Sequence, residues 1–114
     1  MTLQEFYDKA GGDYDATMDR LFSDEIAMKY LKRFLEDDTF QKLEADIASH
    51  DDKQAFNDVH TLKGVALNLG LDRLGHSASD LTEVLRHGGS DPDGRLFAQV
   101  SRDYADTIDL IKEL

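Results

Sequence analysis

His60-Thr61-Leu62-Lys63-Gly64-Val65-Ala66-Leu67-Asn68-Leu69-Gly70, near the middle of the chain, reads as the second half of a helix with a glycine one turn after a histidine. Glycine in a helix interior costs about 1 kcal/mol relative to alanine, so its place beside an imidazole asks for a reason. Carried back to Asp52, the pattern predicts a helix ending near Leu69. With Phe56 set at zero and about 100° per residue, Ala55, Val59, Leu62, Val65, Ala66 and Leu69 fall on one side, the expected core face. His60 lies at about +40°, Leu67 at about +20°, Gly64 at about +80° and Lys63 at about −20°, all outside that arc. His60 is therefore expected at solvent or at the edge of the core. Gly64 places no side chain beside the ring, and Lys63, at i+3, can bring its ammonium over the same patch.

Outward from this helix the chain reads as further helices joined by short breaks. Upstream, Phe40, Leu43 and Ile47 mark one helix, with Asp38 and Gln41 spaced as a capping box. Before it, Ile26, Ala27, Tyr30, Leu31, Phe34 and Leu35 mark another, with Ser23 as N-cap. Downstream, Leu71, Leu74, Ala78, Leu81 and Leu85 form a stripe that ends at His87-Gly88-Gly89. Asp91 as N-cap and Pro92 as first residue predict the start of the last helix, with the stripe Phe97, Val100, Tyr104, Ile108 and Ile111. Leu3 to Lys9 and Tyr14 to Phe22 read as shorter helical pieces around Gly11-Gly12. No run alternates as a strand, and no repeat or long linker is present. The expected architecture is all-α: an up-down antiparallel four-helix bundle over residues 23–113, with residues 1–22 as a short N-terminal helical extension, one domain over 1–114.

Composition narrows the function classes. Apolar residues at 40% and charged residues at 32% suit a helical domain in water. The formal net charge of −11 argues against nucleic acid and anionic membrane as partners. The absence of cysteine removes disulfides and thiolate metal sites. The N-terminus lacks a basic region followed by an apolar run, and no stretch approaches the roughly 20 apolar residues of a membrane span. A cytoplasmic protein is expected. No H-E-x-x-H, E-x-x-H or EF-hand spacing occurs, so a metal enzyme is disfavoured. Neither a phosphate-binding G-x-x-x-x-G-K-[ST] loop nor a glycine-rich dinucleotide loop is present.

What remains is the histidine. Neutral imidazole is nucleophilic near neutral pH. A phosphoryl group on its nitrogen brings negative charge that a neighbouring lysine favours. A missing side chain at Gly64 lets another protein approach the ring. From the residues alone two readings stand open. His60 could be an ordinary surface histidine and Gly64 the mark of a tight helix crossing. His50 and His87, near predicted helix ends, and His76, on a polar face, are read as ordinary surface groups of this kind.

A resemblance favours the chemical reading. His60, Leu62, Lys63, Gly64, Leu69 and Gly70 fill every fixed position of H-x-L-K-G-x-x-x-x-L-G, and this pattern resembles the signature of histidine-containing phosphotransfer (HPt) domains. The likeness extends over about residues 23 to 113. It departs at Val65, where the family more often has a small residue, and at Thr82, where a glutamate often follows the leucine. The resemblance implies a helical bundle with an exposed phosphoacceptor. By it, His60 takes a phosphoryl group from a receiver-domain aspartate, through Nε2, and passes it reversibly to another response regulator. Lys63 stabilises the phosphate, Gly64 gives access and Gly70 ends the helix. The expected partners are response regulator receiver domains and a hybrid sensor histidine kinase. No cofactor is expected on this chain, the Mg2+ belonging to the receiver, and no kinase activity of its own. Lys63, Gly64 and Leu67 are expected to touch the receiver, Leu67 as an exposed apolar contact. A monomer is expected. The start at Met1 and the end near the last helix favour a stand-alone protein over an HPt domain excised from a kinase. The rival reading is a helical adaptor that binds signalling proteins without phosphorylation.

Overall fold

The computed structural model describes the whole chain, Met1–Leu114, as seven α-helices with no strand. They are α1 (Leu3–Lys9), α2 (Tyr14–Leu21), α3 (Asp24–Phe34), α4 (Thr39–Ala48), α5 (Asp52–Asn68), α6 (Asp72–Leu85) and α7 (Arg95–Lys112). A single 3-10 turn, Arg86–Gly88, follows α6. No helix is long and apolar enough to cross a membrane.

The helix starts follow from their capping residues. Thr2 and Glu5 form a reciprocal capping box on α1. Asp13, Ser23 and Asp51 each accept from the backbone N–H three residues on. Each bond satisfies one donor that the helix itself leaves unpaired. Ser23 thus acts as expected, but two other predicted starts differ. Asp38 precedes α4 but makes no capping bond; its ψ of 9° is outside the extended region a capping side chain needs. Its carboxylate instead pairs with Lys42 at 3.5 Å, while Gln41 bonds the Tyr104 hydroxyl. Asp91 and Pro92 do not begin α7. They form a turn closed by the Gly94 N–H on the Asp91 carbonyl, and the helix starts only after Gly94 turns the chain with φ of +70°. Proline suits the second place of such a turn. The Asp91 carboxylate still accepts from the Leu96 and Phe97 N–H groups, capping the helix from across the turn.

The helix ends matter more for the site. At the end of α5 the Gly70 N–H bonds the Leu67 carbonyl and the Leu71 N–H bonds the Ala66 carbonyl, a Schellman pair around Gly70 at φ +77°. α4 ends the same way, with His50 at φ +58° in the left-handed position. His50 is therefore a chain-reversal residue as well as a surface histidine. These two reversals leave three residues on either side of α5. Helices joined so tightly and packed side by side run in opposite directions, so α4, α5 and α6 form successive hairpins. α7 packs on α6, and its Phe97 and Tyr104 stack on Phe40 of α4, with Tyr104 at 4.1 Å between ring centroids.

Twenty-two buried apolar side chains form one core. It takes the predicted stripes of α5 and α6 almost entirely: Ala55, Val59, Leu62, Ala66, Leu69, Leu71, Leu74, Ala78, Leu81 and Leu85. It also takes Leu3, Phe6, Tyr7, Ala10 and Leu21. Residues 1–22 are thus part of the core and not an appendage. The Tyr7 hydroxyl, fully buried, donates to the Leu69 carbonyl at 2.9 Å, and burial pushes this phenol up to about 12. The Arg20 guanidinium donates to the Leu67 carbonyl at 3.0 Å. Arg20 is a second donor to the Leu67 carbonyl, already bonded by the Gly70 N–H, while Tyr7 supplies the Leu69 carbonyl, beyond the last turn of α5, with a partner. α1 and α2 therefore fix the C-terminal end of the helix that carries His60.

A carboxyl pair sits between α4 and α5. The Asp46 Oδ2 is buried without a hydrogen-bond donor and meets the Asp58 carboxyl. The side-chain contact with the Asp58 carboxyl, then burial, then the charges of Asp58 and Asp51 push Asp46 up to about 6.

Candidate functional site

α5 carries the candidate site on the face opposite its core stripe. Val59 and Leu62 are fully buried, while His60, Thr61 and Gly64 are exposed. Every turn of the helix thus locks its apolar side and presents the other. His60, Gly64 and Asn68 follow at i, i+4 and i+8 and form an exposed ridge about 12 Å long at 1.5 Å per residue.

Gly64 resolves the question its helix position raised. A Cβ built there meets nothing within 4 Å. Gly64 is not a packing glycine, so no helix crossing explains it. The close crossing lies elsewhere. On α6, a Cβ at Gly75 would sit 2.4 Å from the Leu67 Cδ2 and 2.8 Å from its Cγ. Leu67 is therefore half-buried, laid over Gly75, and is not the freely exposed side chain that its helical angle suggested. The angle was sound; α6 simply comes close enough, at a residue without a side chain, to cover that part of α5. Gly70 is structural as expected. Its left-handed φ and the Thr17 and Tyr7 atoms packed around it leave no space for a Cβ.

His60 is held by an aromatic neighbour. The Phe56 and His60 rings stack with centroids 5.8 Å apart and planes 6° from parallel. The Arg86 guanidinium carbon lies 5.3 Å from the Phe56 ring centroid. Arg86 is itself fixed by two hydrogen bonds to the Glu83 carboxylate, at 3.1 and 3.2 Å. That bidentate contact, first, and then the Arg86, Lys63 and His60 charges hold the Glu83 carboxyl below its ordinary value. Lys63 therefore faces the same side of α5 as Glu83, but it makes no ion pair within 4 Å. Its ammonium remains available to an incoming anion.

The sequence brings His60, Lys63 and Gly64 together on α5 but carries little sign of what surrounds them. Phe56 stands at i−4 from His60, a spacing that is a readable sign of ring contact. Arg86 and Glu83 reach the site from the end of another helix. Apolar exposure near the ridge was also assigned to the wrong residue. Phe22, 84% exposed, Ile26 and Tyr30 line a groove with Asn68, at the end of the ridge. Ile26 and Tyr30 read as core in the α3 stripe, but Ala27, Leu31 and Phe34 take the core face.

The sequence model of the Hpt domain matches residues 29–113. The chain belongs to the Hpt domain family, the histidine phosphotransfer modules of two-component phosphorelays. Members of this family interact with response regulator receiver domains and histidine kinases. Searches of curated proteins and of solved structures gave no match. The match begins inside α3, so it leaves out α1 and α2, although the core uses both.

Proposed function

We propose that this protein is a phosphorelay intermediate in which His60 accepts a phosphoryl group from a receiver-domain aspartate and returns or forwards it to another receiver. The observation that carries the reading is the open space over Gly64, one turn from an exposed imidazole and beside an unpaired lysine. In the forward step the Nε2 lone pair forms an N–P bond while the P–O bond to the aspartate breaks. The aspartate leaves as a carboxylate with the bonding pair, and the imidazole proton stays on Nδ1. Lys63 supports the phosphoryl oxygens as a point charge, and Gly64 lets the receiver's loops reach the ring. The receiver brings the aspartate and its divalent cation. This chain brings a nucleophile on a fixed helix, which suffices because positioning and charge dominate phosphoryl transfer.

The receiver is proposed to sit along the His60–Gly64–Asn68 ridge, with Phe22, Ile26 and Tyr30 as its apolar flank and Lys63 and Gly64 in contact. Leu67 contributes only what α6 leaves uncovered. α4 to α7 are read as the up-down four-helix bundle that supports the ridge. The protein acts as a cytoplasmic monomer with no kinase activity of its own.

The test is label transfer from a phosphorylated receiver to the full chain. Wild type is expected to take up acid-labile, base-stable label, and His60→Gln none, with helical content unchanged. Label that persists in His60→Gln, or that survives acid, would assign the chemistry to another residue.

A further inference from the structure

The His60 ring has no hydrogen bond from the rest of the chain to either nitrogen, yet it lies parallel to Phe56. An exposed side chain without such bonds samples several staggered rotamers. The Nε2 lone pair lies in the ring plane, and transfer needs it in line with the P–O bond that breaks. A near-attack geometry of this kind is worth several powers of ten in rate, so what fixes the plane of the ring matters.

The geometry points to Phe56 as the residue that sets it, and we propose that Phe56 is a positioning residue for phosphoryl transfer at His60. The proposal rests on the reading of His60 as phosphoacceptor. Phe56 is half-buried and packed against the core, whereas His60 is exposed, so the phenyl ring is the fixed member of the pair. At 5.8 Å and 6° the pair is an offset stack, an arrangement aromatic rings favour. Arg86 lies over the same phenyl ring and is anchored to Glu83, so the aromatic platform is restrained from α6 as well as from α5. Sliding in an offset stack is soft, but tilting out of it loses ring contact. The imidazole therefore keeps its plane while the exposed ring stays free of hydrogen bonds.

A helix-stabilising aromatic pair without a catalytic consequence would show the same rings, so the test separates the two. The full chain is compared with Phe56→Leu and Phe56→Tyr, with Phe56→Met as a second ring-free variant should Phe56→Leu fold poorly. Proton NMR reads the His60 ring protons, which a stacked phenyl displaces upfield. The displacement is expected in wild type and Phe56→Tyr and lost in the ring-free variants. Single-turnover transfer from a phosphorylated receiver is then measured against receiver concentration. Loss of the stack should lower the maximal rate roughly three- to tenfold with the half-saturating concentration unchanged, and Phe56→Tyr should restore it. A ring-free variant that transfers at the wild-type maximal rate overturns the proposal. So does an effect confined to half-saturation, which would make Phe56 a docking contact. Failure of wild type itself to take label at His60 is a different result: it removes the phosphoacceptor reading and this inference with it.

Discussion

Gly64→Ala and Gly75→Ala should move stability in opposite directions although both place alanine in a helix. At Gly64 the added methyl meets nothing within 4 Å, so only the intrinsic preference acts. Alanine gains about 0.5–1 kcal/mol over glycine in a helix interior, which raises the melting temperature by ~4 °C for a domain of this size. At Gly75 the same preference is opposed. The methyl would lie 2.4 Å from the Leu67 Cδ2 and 2.8 Å from its Cγ, so Leu67 must turn or the helices must part. Overpacking of this kind costs about 1–3 kcal/mol, leaving a net loss of about 1 kcal/mol. Thermal melts followed by circular dichroism measure both. Transfer from a phosphorylated receiver adds the functional arm. Gly64→Gln should melt no lower than wild type, yet transfer more than about tenfold more slowly, because its side chain occupies the approach to His60. A lowered melting temperature in Gly64→Ala, or a wild-type transfer rate in Gly64→Gln, would refute an open approach over Gly64.

Asp46→Asn should stabilise the protein at neutral pH. Asp46 is raised from 3.8 to about 6, so its contribution is full below about pH 4 and is lost as pH rises through about 6. Discounted for partial exposure, the gain at pH 7.5 is about 1 kcal/mol, with a flatter stability profile between pH 4 and 7; a variant no more stable than wild type at pH 7.5 would remove the strain of the carboxyl pair from the account. Asp91→Ala takes the acceptor from the Leu96 and Phe97 N–H groups and should cost about 1 kcal/mol in urea unfolding, whereas an unchanged midpoint would leave Gly94 alone to start α7. Leu67→Asp puts a carboxylate against Gly75 and should lower stability by about 2–3 kcal/mol, read by thermal melting; an unaltered melt would return Leu67 to the surface.

The sequence by itself determined what local periodicity and local chemistry control. The apolar spacing of α5 and α6 predicted which residues are buried, because a helix buries whichever face carries the stripe. The Ser23 cap and the reversal at Gly70 were legible because each depends on residues only a few positions apart. The exposure of His60 and Gly64 followed from the same helical angle. Tertiary structure decided what depends on approach between helices. Leu67 is covered only because α6 brings Gly75 against it, and a helical wheel holds no information about a neighbour's distance. Residues 1–22 looked like an extension because short helices carry weak patterns. They enter the core through Leu3, Phe6, Tyr7, Ala10 and Leu21, and Tyr7 and Arg20 donate to carbonyls at the end of α5. Asp91 and Pro92 carry the letters of a helix start, but the turn closed at Gly94 places that start three residues later. The Arg86 guanidinium reaches the Phe56 ring from a segment some thirty residues away, at the end of a different helix, and only the packing of α6 on α5 brings it there.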